Sequence, residues 1–568
     1  MPPSLSRLLQ PLLIRAFAWE ARRNLARFNR SLRDQRRVQE RTLLEKIRRN
    51  QDSAFGRDHG FAAIRSVADF RSRLPVTSYE DYAPYIARVR QGDFAAMFGR
   101  GQRVHMFAMT SGTTSQPKYI PVPEPFLTEY RAGWMLWGIQ AVRSHYIASG
   151  GRMRVLQFHS AWDDERAPCG LPCGATSGLT AQVQRPGAKN LYAVPSCVAH
   201  IKDIQSKYYV AARLALAHRV TVPLAPNPST LLGLARAMDE RKADLLRDLA
   251  DGTLSGDLDL PAEVRREVEG RLRPEPERAR ELDQAVAREG HLYPKTAWQL
   301  PLIGCWKGGT LSLYLREFPR YFGGAAVRDI GLIASEGRMT IPLSNDGSAG
   351  VLDLESSFFE FLPARDGQAL GGEPLLAHEL EAGREYFLLL TSSAGLYRYN
   401  MGDVVRVDGF LEGSPLVAFL NKGAHYSSLT GEKLSEHQAV EAVNAALEQT
   451  GLALGSYCLA PTWSETAPFY SLIVEEAALA GGDGLASLAA AVDSALCHEN
   501  IEYRSKRDTG RLAPVQVRLA ARGAWTAYDL EIVAARRRGI EQYKHKFLAN
   551  DLEFEKRFPD VRKGVKKP

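Results

Sequence analysis

Residues 110–118 read TSGTTSQPK, which puts Thr110, Ser111, Gly112, Thr113, Thr114 and Lys118 in one short loop between the apolar RVHMFAM and the extended YIPV. Hydroxyls, successive backbone N–H groups and one ammonium are the donors a polyanion needs, and phosphate binding is their natural use. The Walker pattern G-x4-G-K-[ST] fails at two places. Read from Gly112 the chain gives GTTSQPKY, with Pro117 where the second glycine belongs and Tyr119 where the magnesium-binding hydroxyl belongs. A P-loop NTPase is therefore rejected, and for this stretch taken alone a plain Ser/Thr-rich surface turn stays open.

Two further stretches add to it. IASEGRM sets Ser335 and Glu336 just past a predicted strand, where a carboxylate can hold Mg2+ between phosphate oxygens. LYRYNMGDVVRV sets Asp403 behind a glycine in an expected strand–turn–strand, with Arg398 and Arg406 beside it. An acceptor there suits ribose hydroxyls, as an acidic residue does in dinucleotide folds. Each also has a plainer reading, a helix cap for ASEG and a turn aspartate for MGD. Other chemistries have less support. The six cysteines, at 169, 173, 197, 305, 458 and 497, are too sparse for a disulfide framework and point to a reducing cytoplasm. Cys169 and Cys173 in PCGLPCG lack a second Cys or His pair at zinc-binding spacing and read as structural thiols. The twelve histidines contain no H-E-x-x-H pattern.

The order and wide spacing of the three motifs, followed by a hinge and a small α+β domain, resemble the adenylate-forming superfamily. A closer resemblance is to the acyl acid amido synthetases first known as auxin-responsive plant proteins, the Gretchen-Hagen-three family. It is carried, in order and across nearly the whole chain, by RFNRSLRDQRRVQERTLLEKIRRNQDSAFGRDHGF, LPVTSYEDYAPYIARVRQGD, FAMTSGTTSQPKYIPV, CWKGGTLSLYLREF, TGEKLSEHQ and EQYK.

The resemblance implies an enzyme that adenylates a small carboxylic acid with ATP and Mg2+, releases pyrophosphate and passes the acyl group to the amine of an amino acid. Fixed donors and cations aimed at the α-phosphate would stabilise its charge, and no covalent enzyme intermediate or Ser-His-Asp triad is expected. It also implies site roles. Thr110 to Thr114 resemble the phosphate loop, with Ser111, Thr113 and Thr114 as hydroxyl donors. Ser335 and Glu336 resemble the second motif, with Glu336 near adenine, phosphate or Mg2+. Tyr397 to Asp403 resemble the third, with Asp403 holding the ribose. Lys433 in GEK resembles the small-domain lysine that reaches a phosphate, and Lys544 in EQYK the one that assists adenylation, which a mobile small domain would deliver on closure. The chain departs from the family's usual pattern at Ser115 (commonly glycine), at Asn421-Lys422 (a hinge that commonly begins with arginine) and at HKFL after QYK (commonly Pro-Arg).

The elements that must position these residues read as α/β: a large luciferase-like N-terminal adenylating domain over 1–420 and a smaller α+β domain over 421–568, moving about a hinge. Apolar runs VHMFAM, RMRVLQFHS, DIGLIA, EYFLLLTSS and VVRVDGF predict buried strands, alternating with helices such as PEPFLTEYRAGWMLWGIQAVRSHYIAS. Residues 1–50 read as helix, and SVADFRSRLPVTSYEDYAPYIARVRQGD as short helices broken at Pro75 and Pro84. The charged stretch from Lys242 to Arg288 reads as a solvated helical excursion. After Lys422 the order helix, strand, strand, helix, strand, helix forms the compact small domain.

The net charge of +8, from 73 basic and 65 acidic side chains, fits anionic small ligands and gives no footing for nucleic acid. No run of 18 apolar residues spans a membrane. The basic N-terminal helix is read as packed on the domain in preference to an anionic membrane surface. A cytoplasmic monomer is expected. Two other functions compete with the amide-forming ligase. An acyl-CoA ligase would use the same adenylate, with ARRRG at 535–539 to receive the CoA phosphate. A non-enzymatic protein would bind surfaces through its N-terminal helix, against which the joint presence of Ser111, Lys118, Glu336 and Asp403 argues. The acyl pocket is expected between MLWGIQ and LYAVPS, with Trp134 and Trp137 as core aromatics.

Overall fold

A computed structural model of the chain describes residues 22–110, 118–145, 153–182, 190–365, 368–421, 426–452, 454–475, 482–536 and 546–558. It splits into two compact units, Met1–Met109 with Tyr119–Leu420, and Thr110–Lys118 with Asn421–Pro568.

Three larger sheets and one two-stranded hairpin build the described part of the first unit. In one, strands Val155–Gln157, Val222–Leu224, Leu302–Gly304 and Ala326–Arg328 run parallel in that order. Helices Ile204–Leu216 and Pro228–Glu240 belong to the layered arrangement such crossovers require. A mixed sheet orders Lys118–Pro123, Val104–Thr110, Pro172–Gly174 and Glu165–Arg166. The third, antiparallel, has Leu396–Leu411 at its centre, between Ser414–Asn421 and Glu385–Ser392, with Phe358–Arg365 beyond the latter.

Four expectations change. LYRYNMGDVVRV is not strand–turn–strand but part of one bulged strand, Leu396–Leu411. The register against Glu385–Ser392 slips twice, because Ser392 faces Leu396 while Leu390 faces Tyr399, and Leu389 faces Asn400 while Phe387 faces Val404. Extra residues are thus absorbed as bulges along a partner strand that offers pairing throughout. DIGLIA supplies only Ile333–Ala334, paired with Gly337–Arg338 in a tight hairpin. The Asp329 carboxylate accepts from the N–H of Lys307 at 2.7 Å and of Gly331 at 2.6 Å, tying the preceding residues into a loop. Pro84 does not break its helix but lies within Tyr79–Arg90. It is the sixth of twelve residues and gives up one i→i−4 hydrogen bond, while the entry is capped by the Ser78 N–H donating to Asp81 at 2.7 Å. The charged excursion is helical, Lys242–Asp251, Ala262–Glu269 and Pro276–Glu289, but not solvated all round. Leu245, Leu249, Val264, Val268 and Leu282 bury one face in a shared core, each worth about 1.5–3 kcal/mol.

The N-terminal helix is broken at Asp34, giving helices 22–33 and Gln35–Asn50. Phe28 and Leu32 pack with Leu136 and Trp137. Gln39 is a buried clamp. Its amide donates to the Leu354 and Ser357 carbonyls at 2.7 and 2.8 Å and accepts from the Phe359 N–H at 2.8 Å. Among the described residues no helix is long and apolar enough to cross a membrane.

In the second unit, Tyr457–Thr462 and Phe469–Glu475 pair antiparallel, and Gln516–Ala520 adds in parallel. Helices Glu436–Thr450, Gly482–Glu499 and Ala524–Arg536 follow the expected order, with Ile501–Asp508 as an additional short helix. The core of this unit is built from Val443, Leu459, Leu472, Leu496 and Leu519 with their neighbours.

Candidate functional site

The bulged strand owes its shape to local chemistry. Asn400 accepts the Gly402 N–H at 2.9 Å, and Gly402 takes a φ of 72°, a left-handed conformation that glycine adopts without a Cβ penalty. The chain therefore turns within the strand, and Asp403 ends buried at 2% exposure. On the far side of the bulge, Thr77 pairs as a short parallel bridge with Tyr399. Its N–H donates to the Arg398 carbonyl at 3.0 Å and its carbonyl accepts from the Asn400 N–H at 2.9 Å. The Thr77 and Tyr82 hydroxyls both donate to the Tyr397 carbonyl, at 2.8 and 2.7 Å.

Tyr397 itself turns into the core. Its ring stacks with Phe55 and meets Phe61 edge-on, and its hydroxyl accepts from the Asn50 amide at 2.7 Å. Arg398 and Arg406, beside Asp403 in sequence, are engaged elsewhere. Arg398, at a φ of 50°, donates to Glu360 at 3.1 Å and to the Leu74 carbonyl at 2.5 Å, while Arg406 donates to Asp408 at 2.7 Å. Glu360 also receives Arg71 at 2.8 Å, so one fully buried carboxylate holds two guanidinium groups behind the strand.

Ser335 and Glu336 form the two-residue turn of the Ile333–Arg338 hairpin, since Ala334 faces Gly337. Arg338 pins that hairpin from inside. It donates to the Ile330 carbonyl at 2.7 Å and lies over the Trp134 ring at 4.8 Å. Burial pushes its pKa down to about 10, and burial raises that of Asp353 to about 6. At the turn, Glu336 is 9% exposed. Its charge, and that of Asp403, reach the buried Tyr399. Burial first, then the Glu336 carboxylate, hold the Tyr399 phenol well above its usual pKa. Tyr399 therefore keeps its proton.

Lys118 opens strand Lys118–Pro123, and the next residue, Tyr119, donates its N–H to the Tyr79 hydroxyl at 3.0 Å. Thr110 ends strand Val104–Thr110. Ser111, Gly112, Thr113 and Thr114, and likewise Lys544, lie outside the described residues. Lys433 belongs to the second unit, where its N–H donates to Glu502 at 3.1 Å and its carbonyl accepts from Asn500 at 3.0 Å. Within the first unit, the bulged strand is thus held by residues to which the sequence reading gave no role, Thr77 and Tyr82. Both lie in LPVTSYEDY, which the sequence reading took as short helix and as part of the family resemblance, without a role for its hydroxyls.

Elsewhere, all six cysteines are free, and among the described residues no group of three or more His, Cys, Asp and Glu is arranged to hold a metal. Trp137 is buried and donates to the Asp329 carbonyl at 2.8 Å, as a core aromatic. LYAVPS lines a cavity of about 720 Å3, together with Arg154, His159, Arg213 and His218. That charged lining differs from the apolar wall expected of an acyl pocket.

The bulged strand and the acidic hairpin turn belong to the larger unit, and a separate α+β unit follows. Three family profiles match the chain, the GH3 family N-terminal domain over residues 24–327, the GH3 family central domain over 350–422 and the GH3 family C-terminal domain over 437–553. The chain belongs to the GH3 family. It is 27% identical over 586 residues to a probable indole-3-acetic acid-amido synthetase, GH3.4, of Oryza sativa subsp. japonica, with 96% of this chain and 91% of that protein covered. It is 24% identical over 434 residues to the jasmonoyl-L-amino acid synthetase JAR4 of Nicotiana attenuata, covering 73% and 74%. A solved structure, GH3.15 acyl acid amido synthetase, shares the fold with a TM-score of 0.63 at 20% identity, over 94% of this chain and 95% of that one.

Proposed function

We propose that this protein is an ATP-dependent acyl acid amido synthetase, which adenylates a small carboxylic acid and transfers the acyl group to the amine of an amino acid. The observation that carries this is the burial of Glu336 in one hairpin turn and of Asp403 on one bulged strand in a GH3 chain. Residues 1–420 form the adenylating domain in this reading, and 421–568 a small domain that closes about a hinge at Asn421-Lys422.

A carboxylate is a poor electrophile, and its mixed anhydride with AMP supplies a good leaving group. Asp403 accepts from the ribose hydroxyls. The loop from Thr110 to Thr114, with Lys118, offers donors to the phosphates, and Lys433 and Lys544 add positive charge as pyrophosphate departs. Glu336 suits the way Mg2+ is usually held, by one or two carboxylates together with substrate phosphates. Held there by Glu336, it would supply Lewis-acid stabilisation of the charge on the substrate phosphates. A cytoplasmic monomer is consistent with six free cysteines.

ATP–pyrophosphate exchange across a panel of aryl, indole and aliphatic acids, with and without amino acids or CoA, tests the reading. Exchange should depend on one class of acid, and amino acids should convert it to net AMP release. Net release with CoA instead would establish the thioester-forming alternative, and absence of both exchange and ATP binding would refute adenylation. Lys544→Ala should slow adenylate formation at least about tenfold while amide formation from supplied acyl adenylate is little changed. Equal losses in both half-reactions would remove the assigned role.

A further inference from the structure

The TGEK stretch that carries Lys433 is built around the residue before the lysine. Glu432 is wholly buried in the second unit. One carboxylate oxygen accepts from the Leu429 N–H at 2.6 Å and the Tyr470 hydroxyl at 2.8 Å. The other accepts from the Thr430 N–H at 2.8 Å and the Thr430 hydroxyl at 2.7 Å. All four partners are donors, so the pocket matches the lone pairs of a carboxylate. Charge-assisted hydrogen bonds of this kind are about twice as strong as neutral ones. Burial and the Glu432 charge also hold the Tyr470 phenol well above its usual pKa, so it remains a donor.

The backbone geometry explains how a side chain can reach back over its own turn. Gly431 has a φ of 99°, open to glycine and rare for other residues, and it reverses the chain between Thr430 and Glu432. Immediately after it, Lys433 is held at both backbone polar groups. Its N–H donates to Glu502, and its carbonyl accepts from Asn500, whose amide also donates to Gln438 at 3.1 Å and whose Oδ1 caps helix Ile501–Asp508 at the Tyr503 N–H, 2.8 Å away. A lysine side chain has about 2 kcal/mol of rotamer entropy to lose on being aimed, and a fixed backbone removes the additional freedom of its loop.

We infer that Glu432 is a positioning residue, a buried carboxylate that folds the Leu429–Glu432 turn and so fixes the backbone from which Lys433 reaches a phosphate. The inference rests on the phosphate role assigned to Lys433 above. Its effect is on adenylation, because the turn presents a cation and contributes no group to the acid itself.

The test is a double-mutant cycle in the full-length protein, read by acid-dependent ATP–pyrophosphate exchange. Glu432→Gln keeps the shape but sets an N–H2 against donors. It should lower kcat of exchange about tenfold or more with KM for the acid unchanged, Glu432→Asp should recover part of the loss, and the double variant with Lys433→Ala should be no slower than Lys433→Ala alone. Exchange by Glu432→Gln at the wild-type rate while Lys433→Ala is impaired overturns the positioning role alone, as does a loss that adds in full to that of Lys433→Ala. Lys433→Ala at the wild-type rate overturns the phosphate role on which the inference rests. Should Glu432→Gln not fold, Tyr470→Phe, which deletes a single donor, runs the same cycle with a smaller expected loss and the same non-additivity.

Discussion

Asp403→Ala raises the Michaelis constant for ATP at least about tenfold, the equivalent of about 1.4 kcal/mol. The reason lies in where the structure puts the carboxylate. It is 2% exposed on the bulged strand, with the Asn400 side chain and the left-handed Gly402 holding the turn before it. A buried acceptor meeting two ribose hydroxyls has no water to compete with, and truncation leaves those hydroxyls unpaired in the bound state. Steady-state kinetics at saturating acid and amine, with ATP varied, measures the effect. An unchanged ATP dependence would remove the ribose role. Asp403→Asn separates charge from shape, since the amide keeps one acceptor and should retain part of the affinity.

Glu360→Ala destabilises the larger unit by about 3–5 kcal/mol, the range for breaking a buried ion pair by removing one partner. Glu360 is 1% exposed, and its two oxygens receive Arg71 at 2.8 Å and Arg398 at 3.1 Å. Deleting it leaves the Arg398 guanidinium, itself 4% exposed, with backbone carbonyls as its remaining partners. Arg398 sits at a φ of 50°, a conformation a non-glycine residue keeps only when its surroundings hold it. The loss should therefore reach the site as well as the fold. Thermal unfolding followed by circular dichroism should show an earlier transition, and ATP affinity should fall at temperatures where the variant is still folded. An unshifted transition would mean that the pair contributes nothing net to stability.

Much of the organisation was legible in the chain. The three motifs stand out by residue type and by their order along the chain, which is what carries the family resemblance. The small domain was legible because each of its strands and helices carries its own apolar period, and the observed Tyr457–Thr462, Phe469–Glu475 and Gln516–Ala520 follow that pattern. Local propensity failed where tertiary pairing overrode it. The glycine in MGD reads as a turn, yet a partner strand with free hydrogen-bonding groups along its length draws the whole stretch into one strand and leaves the surplus residues as bulges.

What sequence alone determined, then, is the inventory: a hydroxyl-rich loop, an acidic turn, an acidic strand residue and two lysines, in an order that marks the family. What only the tertiary structure decided is which side chains face one another. Tyr397 and Tyr399 have the same type, two positions apart on a strand, where a regular pleat would give them one face. The bulge between them breaks that rule. One ring goes to Phe55 and Phe61 in the core, and the other meets Tyr82 edge-on. Register slips of that kind arise from hydrogen bonds made to Thr77, Tyr82 and Glu360, residues remote in the chain. No local pattern encodes them.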